Sequence, residues 1–134
     1  MKSITVPVST EAMNRLDFDE CIAGDLIEMN LDEPEFEKIW NSGVFDKLND
    51  SLGVNIDIYE DESLIGVDTL VKAKNMLEKN FDHSDHSIKQ LLSMINKAIE
   101  YKTGIFSFFS KVNFCWLAYF DFIHQHDRRE YHKR

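Results

Sequence analysis

The sequence predicts a mainly α-helical single domain over residues 1–134, with α+β as the alternative and at most a small sheet. Three observations carry that expectation. Apolar residues recur at helical 3.6-residue spacing in several separate segments, cap residues stand where those segments begin, and glycines stand where two of them end. A chain of 134 residues with 43% hydrophobic and 12% aromatic content is long enough to bury a core without a disulfide or a metal, covering roughly two-thirds of its unfolded surface.

Residues 3–8, SITVPV, are extended in character, and Pro7 confines them to a sheet edge or a loose, non-strand terminus. Thr10 can cap a helix beginning near Glu11, which Phe18, Cys21, Ile22, Leu26 and Met29 continue at helical spacing, with Gly24 as its weak point. The run Asp32, Glu33, Pro34, Glu35 is a helix start: a carboxylate to accept from free backbone N–H groups, a proline suited to the first turn, and acids at the positive end. Phe36, Ile39 and Trp40 line that helix, Gly43 breaks or kinks it, and Phe45, Leu48 and Leu52 resume the spacing up to a stop at Gly53. Trp40 reads as a core anchor, because buried aromatic stripes are commoner than aromatic binding sites.

Residues 54–59, VNIDIY, alternate apolar and polar side chains and predict a short half-buried extended segment. Asp68 can cap the next helix, whose buried face is Leu70, Ala73, Leu77 and Phe81, and the polar connection 80–87 leads to Ser84, Asp85 or Ser87 as the cap of another. Ile88, Leu91, Leu92, Ile95, Ala98 and Ile99 form the apolar face of this last helix. Gly104 is placed to take the left-handed turn that ends it, and residues 105–109 then make a buried strand. Any sheet is expected from 105–109 and from 54–58. The expected core is Phe36, Ile39, Trp40, Leu48, Leu77, Leu91, Leu92, Ile95, Ile99, Phe106 and Phe108. Residues 110–123 fit a helix or a returning strand, with Leu117 and Ala118 favouring the helix, and the basic residues from about 127 form a solvated tail.

Charge is unevenly spread. Residues 1–62 hold 16 acids against Lys2, Arg15, Lys38 and Lys47, a balance of -12, whereas residues 63–134 balance at +3 and the whole chain at -9. Such a field repels nucleic acid and anionic membranes and steers a basic partner, although acidic surfaces also simply keep proteins in solution. Residues 105–123 are the most membrane-like window, but Lys111, Asn113 and Asp121 interrupt it. Cys21 and Cys115 have no partners at metal-ligand spacing and follow no signal peptide; reduced thiols in a cytoplasmic protein are the expectation, a single long-range disulfide the lesser reading.

Chemistry is sparse. His83 and His86, like His124, His126 and His132, lack the third ligand and supporting shell of a zinc site, and they read as a polar turn and a tail. Nucleophile elbows, phosphate loops and paired cysteines are missing from the sequence, so neither enzyme activity nor a cofactor is expected. Asp57, Glu60, Asp61 and Glu62 bring four carboxylates into six residues, without the glycine that a calcium loop needs. With Tyr59 as an aromatic anchor, Asp57, Tyr59, Glu60, Asp61 and Glu62 are the candidate partner-binding residues.

The run FEKIWNSGVFDKLNDSLGVNIDIYEDE, the helical pair after it and the closing EYKTGIFSFF resemble small acidic bacterial immunity proteins. These are cytoplasmic partners that neutralise polymorphic or contact-dependent growth inhibition toxins. The resemblance spans a little over half the chain. It implies a non-catalytic protein that binds a basic toxin domain, a nuclease above all, and covers its active site or substrate-binding surface. A non-catalytic adaptor or regulatory subunit is the alternative, with a metal-dependent hydrolase behind it.

Overall fold

The computed structural model describes residues 2–58 and 61–109. Strands β1 (Lys2–Pro7), β2 (Leu26–Leu31), β3 (Glu62–Ile65) and β4 (Gly104–Phe108) form an antiparallel sheet in the order β2-β1-β4-β3. Helices α1 (Thr10–Asp17), α2 (Glu33–Asn41), α3 (Val44–Leu52), α4 (Val67–Asn80) and α5 (His86–Tyr101) pack against it. The fold is therefore α+β, which corrects the expectation of a mainly helical chain.

The helices form where local chemistry asks for them. Asp32 accepts from the Glu35 backbone at 2.9 Å while the Glu35 side chain accepts from the Asp32 backbone at 3.3 Å, a complete capping box at the start of α2. Gly43 adopts φ 81°, a left-handed conformation that lets α2 end and α3 start at once, and Gly53 at φ 65° closes α3. Asp85 caps α5 by accepting from the Ser87 and Ile88 backbones. Two expected caps shift. Ser9, one residue before Thr10, accepts from the Ala12 backbone, and α4 begins after Gly66 with Asp68 inside its first turn.

The sheet register places Ile4, Val6, Met29, Leu31, Leu64 and Ile105 on one face, all buried against α2, α3, α4 and α5. Burying each such side chain stabilises the fold by about 1.5–3 kcal/mol. From α5 come Ile88, Leu91, Met94, Ile95 and Ala98, whereas Leu92 and Ile99 are only half-buried at the margin. Phe109 joins an aromatic group, with its ring centroid 5.0 Å from Phe36 and 5.3 Å from Phe45, while Trp40 stacks at 5.7 Å on Phe36. Trp40 is thus a core aromatic, partly buried. On the opposite face, Phe106 packs with Leu16 of α1, flanked by Met13, Cys21 and Leu26.

Four further expectations need correction. The helix foreseen from Glu11 to Met29 stops at Asp17, and Leu26 and Met29 belong to β2, because residues three apart on a strand face opposite ways and this sheet is covered on both sides: Met29 lies in the main core and Leu26 beside Phe106 and Leu16. β1 is a central strand rather than an edge: Pro7 is its last residue and lies beyond Thr5, where pairing with β4 ends, so its missing N–H costs no ladder bond there. Residues 54–58 are not a strand, and β3 forms at Glu62–Ile65 instead. Gly104 makes no left-handed turn. Lys102 does so at φ 56°, and Gly104 lies in β4 where a Cβ would meet the Leu64 carbonyl oxygen at 2.8 Å. Buried Thr103 then ties the corner to β1, its hydroxyl donating to the Pro7 carbonyl at 2.7 Å.

Cys21 is disulfide-bonded, so the expectation of reduced thiols fails for it. Cys115, the helix or strand expected over 110–123 and the basic tail all lie outside the described residues. Among the described residues no helix is long and apolar enough to cross a membrane.

Candidate acidic interaction surface

The acidic stretch after α3 is held in place by one side chain. Asn49 donates its amide N–H to the Ile56 carbonyl at 3.1 Å and accepts from the Ile56 N–H at 2.7 Å, so an amide side chain supplies the paired bonds that a neighbouring strand would otherwise give. Ile56 itself is buried in the core. The loop therefore runs alongside α3, although it has no regular structure of its own.

This attachment brings two sets of carboxylates together. Asp46 and Asp50 are exposed and one turn apart on α3, with Asn49 between them on the same flank. Beyond the clamp comes Asp57, which accepts from the Asn55 side chain at 3.1 Å, and then exposed Asp61. Glu62 supports the local backbone, accepting from the Asn55 N–H at 3.1 Å and from the Ser63 N–H at 2.9 Å at the start of β3. Of the five residues singled out from sequence, Asp57, Asp61 and Glu62 thus share this flank. Tyr59 and Glu60 lie outside the described residues. Asp46 and Asp50 were missed, and their signal was legible as an i, i+4 acidic pair on the polar side of a predicted helix.

Acids elsewhere on the chain form pairs of their own. Glu33 pairs with Lys2 at 2.9 Å, Glu78 with Lys74 at 4.0 Å, and Asp85 with Lys38 at 3.8 Å. Buried Asp25 makes a two-pronged pair with Arg15, both bonds 2.7 Å, which holds its carboxyl below the usual aspartate range; the hydrogen bond is the main cause. Burial instead pushes the Glu28 carboxyl above the usual glutamate range. Hydrogen bonds from Ser84 lower Asp82.

A cavity of about 20 Å³ between the sheet, α3 and α5 is lined mainly by Ile4, Phe45, Leu48, Leu91 and Ile95, room for about one water, whereas an open groove of about 430 Å³ at the start of α2 is lined by Lys2, Asn30, Leu31, Asp32, Glu33 and Glu35. Among the described residues no three His, Cys, Asp or Glu side chains are grouped to hold a metal ion; His86 is exposed, and His83 Nε2 lies 2.6 Å from the Glu78 carbonyl oxygen.

The chain is similar in fold to the Neisseria DNA mimic protein DMP12, with a TM-score of 0.54 and 15% identity over 81% of this chain and 100% of that one. At that identity the likeness concerns the fold alone. No protein-family model matches the chain, and no curated protein matches its sequence.

Proposed function

We propose that this protein binds a cationic nucleic-acid-binding domain and occupies, with its own carboxylates, the surface that domain uses for phosphates. The observation that carries the reading is the flank built by the Asn49 clamp, where Asp46, Asp50, Asp57 and Asp61 are gathered on a supported surface. Lys47 is the exposed base interspersed there on α3. A fold shared with a protein named as a DNA mimic supports the same reading. Acidic side chains on a firm scaffold steer a basic partner into contact and repel free nucleic acid.

The resemblance to immunity proteins narrows the partner to a basic nuclease toxin, bound without catalysis. A cytoplasmic site of action belongs to this reading only through that partner, because the disulfide at Cys21 removes the redox argument for it.

The test is binding to a purified basic nuclease domain encoded beside this chain's gene, with growth rescue on co-expression. Asp46→Asn, Asp50→Asn and Asp61→Asn together should slow association roughly tenfold at low salt and flatten its salt dependence. Glu62 is left intact because it supports β3. Absence of a complex, or a complex that leaves the nuclease free to bind DNA, would overturn the proposal.

A further inference from the structure

The loop joining α1 to β2 exposes two large apolar side chains, Phe18 at 73% and Ile22 at 60%, the largest exposures among the described large apolar residues. A single exposed apolar residue is ordinary on any surface, but these two project from a segment pinned at several points. The Arg15–Asp25 pair spans its base, and the Asp25 carboxylate also accepts from the Ile22 backbone at 2.9 Å. Val8 donates to the Asp25 carbonyl at 2.9 Å, and Glu20 donates to the Arg15 carbonyl at 2.8 Å. Between the two exposed residues, Cys21 packs inward beside Leu16 and Phe106. The loop is ordered before anything binds, so a partner would not have to supply the cost of fixing it.

Charge selects the occupant. Asp17, Asp19 and Glu20 are all exposed around Phe18, and the nearby guanidinium of Arg15 is engaged by Asp25. Three carboxylates set against that arrangement disfavour a second copy of the same loop and an anionic lipid surface, while they favour a cation. We propose that Phe18 and Ile22 form the apolar centre, and Asp17, Asp19 and Glu20 the rim, of a second docking surface that receives a basic polypeptide segment carrying apolar side chains among its lysines and arginines. This surface is distinct from the α3 flank. It leads into β2 and the other leads into β3, the opposite edges of the sheet, three strand spacings or about 14 Å apart.

Titration of the isotope-labelled full chain with synthetic peptides tests this without the nuclease. An alternating arginine–leucine peptide of about a dozen residues should shift the amide signals of residues 17–22, and its affinity should fall about tenfold or more, equivalent to about 1.4 kcal/mol, in the Phe18→Ser, Ile22→Ser protein. A charge-matched arginine–glycine peptide should bind more weakly and be indifferent to that change. Asp17→Asn, Asp19→Asn and Glu20→Gln together should weaken the arginine–leucine peptide as well, and amide spectra of both variants verify the fold. Equal binding of the two peptides, shifts centred elsewhere, or sedimentation that shows self-association through Phe18 would overturn the proposal. Failure of the nuclease to bind would leave these outcomes unchanged.

Discussion

Asn49 grips Ile56 from both sides, its amide donating to one backbone group and accepting from the other at 3.1 and 2.7 Å. A helix side chain thereby sets the course of a loop that has no ladder of its own. Asn49→Ala should destabilise the protein by about 1–3 kcal/mol, because both Ile56 backbone groups lose their partner. Urea titration measures the loss, and hydrogen exchange at the Ile56 amide should accelerate. An unchanged midpoint with slow exchange would mean that the loop is held by other contacts.

The Arg15–Asp25 pair makes a prediction with a defined pH sense. Arg15 lowers the folded-state pKa of Asp25, so the contribution is complete above the usual aspartate range and is lost as pH falls through the depressed folded value. Asp25→Asn should cost about 1.5–3 kcal/mol near neutrality, the worth of hydrogen bonds to a charged group, and the gap from the parent protein should close in strong acid. Paired urea titrations across that range would expose a gap that stays constant, which contradicts the assignment.

Glu28 has the opposite sign. Its carboxyl is raised by burial, so ionisation costs the folded state more than the unfolded one, and the penalty grows as pH rises from the usual glutamate range through the raised value. Glu28→Gln should raise the melting temperature at neutral pH and have progressively less effect as the solution is acidified. Calorimetry at both ends of that range checks this: an effect of undiminished size in acid, where both side chains are uncharged, would contradict the assignment.

Gly104→Ala tests the close approach of β3 and β4. The added methyl would lie 2.8 Å from the Leu64 carbonyl oxygen and 3.0 Å from Ile65 Cγ1, and the first of these is backbone that cannot swing aside. A loss of about 1–3 kcal/mol is expected, as for other overpacked sites. Amide shifts confined to Glu62–Ile65 and Gly104–Phe108 would locate the strain; a neutral substitution would show that the strands separate at no cost.

Much of the helical framework, and the acidic bias of the first 62 residues, were determined by the sequence alone. The Asp32 capping box, the Gly53 stop and the Asp85 cap act within about one turn, and a helix closes its hydrogen bonds four residues away, so each signal stands beside the structure it causes. The sheet was decided by tertiary structure. Ser3 lies opposite Phe108 and Thr5 opposite Phe106, about a hundred residues apart along the chain, and neither segment contains anything that names the other. The same limit hid β2 inside an apparent helix, assigned Gly104 to a turn when its role is strand contact, and separated Asp46 and Asp50 from the loop that Asn49 brings beside them. Local patterning specifies which backbone closes on itself, whereas pairing between distant segments depends on which faces are buried together, and that is settled only when the whole core assembles.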